Sequence, residues 1–176
     1  MQSAPCKKVT FSDHPLTFHP GDYVAYPAHG VGQVKKIEQR EIGGNRNEFY
    51  VIEILDSESV VMVPVQNASS IGMRAIIQAE DVERVYMRIK SDRNITMDRN
   101  WNRRSRQYMN KIKSGDLYSI AEVYRDLYRL NQDKDLSFEQ RKLIDMAKGL
   151  LVNEICLVKS EDEHKISEEI ESLFPG

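Results

Sequence analysis

A tryptophan set among arginines is the most chemically distinctive stretch of this sequence. Residues 100–108 read NWNRRSRQY and hold three arginines beside Trp101, the only tryptophan of the chain. No acidic residue lies between Arg99 and Gly115. Guanidinium groups bind phosphates and an aromatic ring can insert between bases, so the stretch is typical of a surface that contacts nucleic acid. A core tryptophan at a helix start, with a solvated basic face, explains the same residues equally well.

The charge of the chain is unevenly distributed, which favours a polyanionic partner. The net charge of −2 hides a balance of +8 in residues 84–113, against −4 in 1–83, −1 in 114–160 and −5 in 161–176. A local basic block inside a slightly acidic protein attracts polyanions. The acidic end is interpreted as a solvated helix or tail rather than a binding site.

No catalytic or metal-binding motif is recognisable. The four histidines have no metal-ligand spacing, and Cys6 and Cys156 are too far apart in sequence for a Cys-x-x-Cys pair. We therefore expect neither an enzyme nor a cofactor, a metal ion or a small-molecule substrate. No apolar run approaches the roughly 18 residues that cross a bilayer, and the N-terminus lacks a secretory signal. A cytoplasmic protein without a membrane partner is the expectation.

The residues before 65 predict a small β domain. Short strands separated by turn signals are expected at 23–26, 30–38, 48–55 and 60–63. An isolated sheet of this size would expose its edges, so the pattern favours a small antiparallel barrel or sandwich. The segment 84–89 alternates well enough to be the closing strand, although a short helix fits nearly as well.

Beyond residue 90 the apolar spacing becomes helical. Trp101 begins one helix, which Ser114-Gly115 ends, and Asp116 is placed as the N-cap of the next. Ser137 and Gln140 have the form of a capping box and open a long amphipathic helix. A last short helix is expected at about 163–173. The chain therefore reads as a β domain followed by a helical domain, with the boundary near 90.

Two segments together are familiar. Residues 18–34 read FHPGDYVAYPAHGVGQV, and the second segment carries WNRR, KSGDL, EVYRDLYR and LSFE between residues 101 and 139. The first resembles the start of the RNA-polymerase-interacting domain of the CarD/CdnL family, a domain that also occurs in bacterial transcription-repair coupling factor. The second is similar to the helical DNA-binding half of that family. The resemblance covers about 18–160.

The predicted fold is α+β, in four parts. The composition of residues 1–17 predicts a flexible extension and that of 161–176 an acidic helix or tail, and both lie outside the resemblance. The resemblance implies that residues 18–90 form a Tudor- or SH3-like β barrel that binds the β subunit of RNA polymerase. It also implies that 91–160 form a compact helical bundle that binds promoter DNA. The implied protein is a cytoplasmic monomer, associated with the nucleoid through RNA polymerase.

The resemblance also implies a role for the tryptophan. Trp101 would wedge into the minor groove at the upstream edge of the promoter bubble and slow its collapse, while Arg103, Arg104 and Arg106 hold phosphates nearby. We found no set of Asn, Gln and Arg at i, i+3, i+4 that would read a major groove, so sequence-specific recognition is not expected.

Two positions of the β domain are implied to contact the polymerase. Arg40 falls where the family uses an arginine against the β subunit. Met62 sits where some members have a second such arginine; a methionine packed on an apolar ridge, together with strand pairing, could substitute for it.

Two other classes of protein stay open. One is a protein–protein adaptor whose β domain binds a partner while the helices only stabilise it. The other is a helix-turn-helix regulator that uses helices 101–113 and 117–130 around Ser114-Gly115-Asp116.

Overall fold

The described part of the chain, residues 17–92 and 100–174 of a computed structural model, is an antiparallel sheet followed by helices. The strands are β1 (Tyr23–Tyr26), β2 (Gly30–Ile42), β3 (Asn45–Ile54), β4 (Val60–Pro64) and β5 (Arg74–Ala75). The helices are α1 (Ala79–Lys90), α2 (Trp101–Lys113), α3 (Leu117–Asp133), α4 (Phe138–Lys159) and α5 (Glu163–Ser172). This confirms the predicted α+β class. The predicted extension lies, except for Thr17, outside the described residues.

The β domain, β1–β5, has the strand order β4-β3-β2-β1-β5 with antiparallel neighbours. Alternate residues of its central strands point to one face and form an apolar core that includes Val34, Tyr50 and Ile52. The chain enters this core at Phe18, whose backbone N–H donates a hydrogen bond to the hydroxyl of Tyr50 at 3.1 Å. The side chains on the opposite face of the sheet do not contribute to this core.

A two-residue turn joins the two longest strands. Gly43 and Gly44 both have positive φ, +60° and +81°, as a type I′ hairpin turn requires. The strands pair beyond the rest of the sheet, because β1 pairs with β2 up to Gln33 and β4 pairs with β3 only from Phe49 onward. Within the described sheet, residues 39–48 thus form a two-stranded ribbon, almost all of it exposed.

The predicted closing strand at 84–89 is wrong, because this segment belongs to α1. Val82, Val85, Tyr86 and Ile89 recur at helical spacing and are buried, whereas Met87, which strand alternation would place beside them, is 55% exposed. A two-residue strand, β5, pairs with β1 instead. Helix α1 packs with the other helices, although it falls within the 18–90 segment that sequence reasoning assigns to the β domain.

The helical domain, α1–α5, is organised around one apolar core to which all five helices contribute. Two of its predicted N-termini are confirmed. Asp116 accepts a hydrogen bond from the backbone N–H of Ser119, and Ser137 and Gln140 form the reciprocal capping box. The predicted last helix is also confirmed, since α5 buries Ile166 and Ile170.

A buried ion pair joins the two domains. The Arg74 guanidinium of β5 makes two hydrogen bonds to the Glu154 carboxylate of α4, at 2.6 and 2.9 Å, and Glu154 is 3% exposed. The same carboxylate accepts a hydrogen bond from the backbone N–H of Ile77, and Arg74 Nε donates to the Gly115 carbonyl. One arginine thus connects the sheet, the α2–α3 turn and α4.

The backbones also approach closely at this junction. Gly72 and Gly115 both have positive φ, and a Cβ on either would lie 3.0–3.3 Å from Pro27 Cγ. A larger residue at either position would require its neighbours to shift by a few tenths of an ångström, and the positive φ would add backbone strain. The relative position of the two domains is therefore fixed by packing as well as by charge.

We predict that Glu154→Ala lowers the free energy of unfolding by about 3 to 5 kcal/mol, because it leaves the Arg74 guanidinium and the Ile77 N–H without their acceptor. Urea denaturation measures the change. The control is Glu171→Ala, which breaks the exposed Lys148–Glu171 pair and should cost less than about 1 kcal/mol. Equal losses in the two variants would contradict a special role for the buried pair.

Candidate nucleic-acid interface

Trp101 is the first residue of α2, and its position is set by the cap that precedes it. The Asn100 side chain accepts hydrogen bonds from the backbone N–H groups of Asn102 and Arg103, at 3.0 and 3.4 Å. This satisfies backbone donors that lack intrahelical partners at a helix start. The cap thereby holds the tryptophan at the end of a helix, where its ring borders the surface.

The indole ring is half-buried and contacts three kinds of neighbour. The ring of Tyr108 lies 6.4 Å away, centroid to centroid, on the core side. The Arg104 guanidinium carbon lies 5.4 Å from the ring centroid, within the range of a cation–π contact. The indole Nε1 donates a hydrogen bond to Glu139 Oε2 of α4 at 3.2 Å. The tryptophan therefore has one side toward the core and one toward the surface. It combines features of a core residue and of a ring that could contact nucleic acid.

A buried polar group supports the helix behind the tryptophan. Arg125 and Asp126 of α3 are buried and paired at 2.9 Å, and Arg125 also donates a hydrogen bond to the Arg88 carbonyl of α1. Burial, reinforced by the charge of Asp126, raises the pKa of Tyr108 to about 12. Burial also raises the pKa of Asp126, although Arg125 opposes the shift. These groups stabilise the base of the site and do not reach the surface.

The three arginines beside Trp101 have different environments. Arg103 and Arg106 lie on the exposed face of α2, where both can reach phosphate. Arg104 is half-buried against the indole ring. Lys111, further along the helix, forms an ion pair with Glu122 of α3 at 2.6 Å. The basic face of α2 therefore depends on Arg103, Arg106 and the exposed Lys113.

The exposed face of α2 also carries amides, which the sequence reading overlooked. Its exposed side chains are Asn102, Arg103, Arg106, Gln107, Asn110 and Lys113. Several stand three or four positions apart, as side chains that read bases from a major groove do. Contrary to the expectation from the sequence, α2 therefore does present such a set, and the helix-turn-helix alternative keeps a structural basis.

Two residues at the site were missed from the sequence, and both lie in the first turn of α4. Glu139 accepts the indole hydrogen bond, and Phe138 beside it is 83% exposed. The contact spans 38 positions, so no local pattern could reveal it. The sequence does contain a weak indication of the exposed phenylalanine, because Phe138 lies outside the regular spacing of apolar residues in this amphipathic helix.

Arg40 and Met62 lie on the face of the sheet opposite the β core. In the strand register, Arg40 of β2 lies opposite Asn47 of β3, and Met62 of β4 lies opposite Val51 of β3. Asn47 and Val51 are four residues apart. Both side chains thus point to one face, roughly 17 Å apart by ideal sheet geometry. Arg40 is exposed and pairs with Glu38 at 2.8 Å, whereas Met62 is half-buried on β4, an edge strand.

Glu38 connects the charged residues of this face. Hydrogen bonds from Lys36 and then from Arg40 lower its pKa. Phe49 of β3 lies opposite Glu38 of β2 on one side and Pro64 of β4 on the other, and both Phe49 and Pro64 are half-buried on the same face. The face therefore combines apolar side chains along β3 and β4 with charged groups along β2.

Residues 17–92 and 100–174 contain no group of three or more His, Cys, Asp or Glu side chains that could hold a metal ion. None of the helices in this part of the chain has the length and apolar character that crossing a bilayer requires.

Comparisons with known proteins identify both domains. A family model described as "CarD-like/TRCF RID domain" matches residues 18–77, and one described as "CarD, C-terminal domain" matches residues 84–171. The chain belongs to the CarD/CdnL family. The second match ends within α5, beyond residue 160, where the resemblance in the sequence was expected to stop.

Two relatives of this CarD/CdnL chain illustrate the match. It is 31% identical over 152 residues to "Putative transcription factor YdeB" of Bacillus subtilis (strain 168), covering 85% of this chain and 97% of YdeB. It is also similar to the solved structure "CdnLNt from Myxoccoccus xanthus", with 39% identity and a TM-score of 0.33, covering 40% of this chain and 100% of that one. Family membership gives the chain a role in transcription regulation, with RNA polymerase as a partner of its β domain. The family is not a known enzyme family.

We predict that Asn100→Ala lowers the free energy of unfolding by about 1 kcal/mol, because the first turn of α2 loses its side-chain acceptor. Asn100→Ser, which keeps an acceptor, should cost only a few tenths of that amount. Urea denaturation followed by the emission of Trp101 measures both. Equal stability of the alanine variant and the parent would show that the cap does not hold the tryptophan.

Proposed function

We propose that the chain binds the β subunit of RNA polymerase through its β domain and stabilises the open promoter complex through its helical domain. Trp101 enters the minor groove at the upstream edge of the melted DNA and slows closure of the bubble. Arg103 and Arg106 bind phosphates beside it, and Arg104 supports the ring. The contacts are largely independent of DNA sequence.

One observation carries the proposal: a half-buried tryptophan begins a helix whose exposed face is basic. A wedge needs a ring that is anchored on one side and accessible on the other. Tyr108 and Arg104 supply the anchor, and the exposed Arg103 and Arg106 supply the affinity for phosphate. Apolar wedges next to basic side chains are a common means of prying base steps apart from the minor groove.

The small number of phosphate contacts makes a tether necessary. Neutralising three or four phosphates gives a log–log salt slope of about −3, enough only for weak binding. Docking on polymerase supplies an effective concentration that makes weak DNA contacts sufficient. The Arg74–Glu154 connection supports this mechanism, because a rigid link lets docking of the β domain orient Trp101 as well.

The outer face of the sheet is the proposed polymerase contact. Arg40 supplies a charge, and Met62 with Phe49 supplies apolar area beside the edge strand β4. An edge strand has backbone N–H and C=O groups that can pair with a strand of a partner. This supports a contact made of strand pairing and a methionine, in place of a second arginine.

We expect Trp101→Ala to shorten the lifetime of open promoter complexes roughly tenfold, because an aromatic ring on a base contributes about 1 to 3 kcal/mol. Binding to polymerase should persist. Complex lifetime after addition of a competitor measures the effect, and Met87→Ala, which truncates an exposed apolar side chain of α1, is the control. An unchanged lifetime with polymerase still bound would favour the adaptor alternative.

We expect Arg40→Glu to reduce co-purification of the polymerase β subunit about tenfold or more, because it reverses a charge at the proposed contact. Arg46→Glu is the matched control, since Arg46 is an exposed arginine of the same ribbon on the opposite face. Retention of β by the Arg40 variant, or equal loss in both variants, would place the interface elsewhere.

The amides on α2 favour one second candidate, a helix-turn-helix regulator. Helices α2 and α3 are joined by a short turn at Ser114-Gly115-Asp116, and the exposed face of α2 carries Asn, Gln and Arg. Selection of bound sequences from random DNA by the isolated protein separates the two candidates. A preferred sequence would support the second, and its absence would support the wedge.

A further inference from the structure

An acidic side chain from α4 reaches into the basic surface around Trp101. Glu139 Oε2 accepts the hydrogen bond of the indole Nε1 at 3.2 Å. Residues 99–115 contain no acidic side chain, so folding alone brings this carboxylate to the tryptophan. Glu139 is exposed in the first turn of α4, where the helix dipole stabilises a negative charge.

The carboxylate and DNA make competing demands on the same groups. An indole ring has a single hydrogen-bond donor, and Glu139 occupies it. The minor-groove edges of A·T base pairs carry acceptors at N3 and O2 that could take the same donor. A negative charge at this place also weakens the attraction of the basic face of α2 for phosphate. DNA that binds the ring must therefore replace the hydrogen bond that Glu139 accepts from the indole.

We propose that Glu139 is an intramolecular competitor of DNA, which holds the Trp101 indole in the free protein and releases it when the ring enters the duplex. The inference rests on the function proposed above and adds a regulatory element to it. Because the carboxylate lowers the affinity of the isolated wedge, it favours insertion into DNA that polymerase already presents, although the isolated protein still binds a forked duplex at low salt.

The first measurement tests the restraint without DNA. Trp101 is the only tryptophan, so emission reports on this ring alone. Glu139→Ala should raise the acrylamide quenching constant, and Glu139→Gln, which keeps an acceptor, should raise it less. Glu163→Ala, which removes an exposed carboxylate from the first turn of α5, is the control. An unchanged constant in Glu139→Ala would overturn the proposed restraint.

The second measurement tests competition with DNA. In titrations of a forked duplex at low salt, Glu139→Ala should bind roughly three- to tenfold more tightly than the parent, the range expected for one lost hydrogen bond. Glu163→Ala should not. The gain should shrink in a Trp101→Phe background, because phenylalanine has no N–H donor. An equal gain in both backgrounds would show a pure charge effect and overturn competition for the indole.

The outcomes distinguish this inference from the proposed function. If the parent's emission does not respond to the forked duplex, the wedge and its competitor both fail, while the quenching data still measure the contact in the free protein. If the parent responds but Glu139→Ala binds DNA equally or more weakly, the wedge stands and the competitor is overturned. In that case Glu139 would position the ring for insertion.

Discussion

The buried pair of Arg74 and Glu154 is the interaction on which the two-domain arrangement depends. The residues are 80 positions apart, and their contact closes the sheet onto α4. A buried charge pair contributes little net stability, but it penalises arrangements in which either partner loses the other. Its main effect is therefore specificity: a single orientation of the β domain relative to the helices. The proposed simultaneous contact with polymerase and DNA requires such a fixed orientation.

The same fixed arrangement of the domains bears on how the proposed, weak nucleic-acid contact would work. Trp101 and the exposed arginines of α2 lie on a helical domain that cannot rotate freely about a linker. If the ring could move freely relative to the β domain, it would adopt many orientations, and its effective concentration at the DNA would be lower. The α2–α3 turn shares in this, because the Gly115 carbonyl is one of the acceptors of Arg74. The turn that ends α2 is thus held directly by the interdomain junction.

Local signals predicted the elements, and contacts between distant segments decided what the sequence could not reveal. Some features depend on residues only a few positions apart, so the local sequence predicts them. They are the helix caps at Asp116 and Ser137 and the glycine turn at 43–44. The segment 84–89 was ambiguous because Val85 and Ile89 satisfy both strand alternation and helical spacing; burial of Val82 settled the question. The contact between Glu139 and Trp101 could not be predicted, since no residue near either of them in the sequence specifies the other.

The β2–β3 ribbon has a consequence for how Arg40 meets a partner. Two strands without further neighbours are only marginally stable on their own, and here residues 39–48 have few buried side chains to hold them. Their backbone hydrogen bonds should open and exchange with solvent much faster than those of the central sheet. Docking there would order the ribbon, so part of the binding free energy is spent on conformational entropy and dissociation stays rapid.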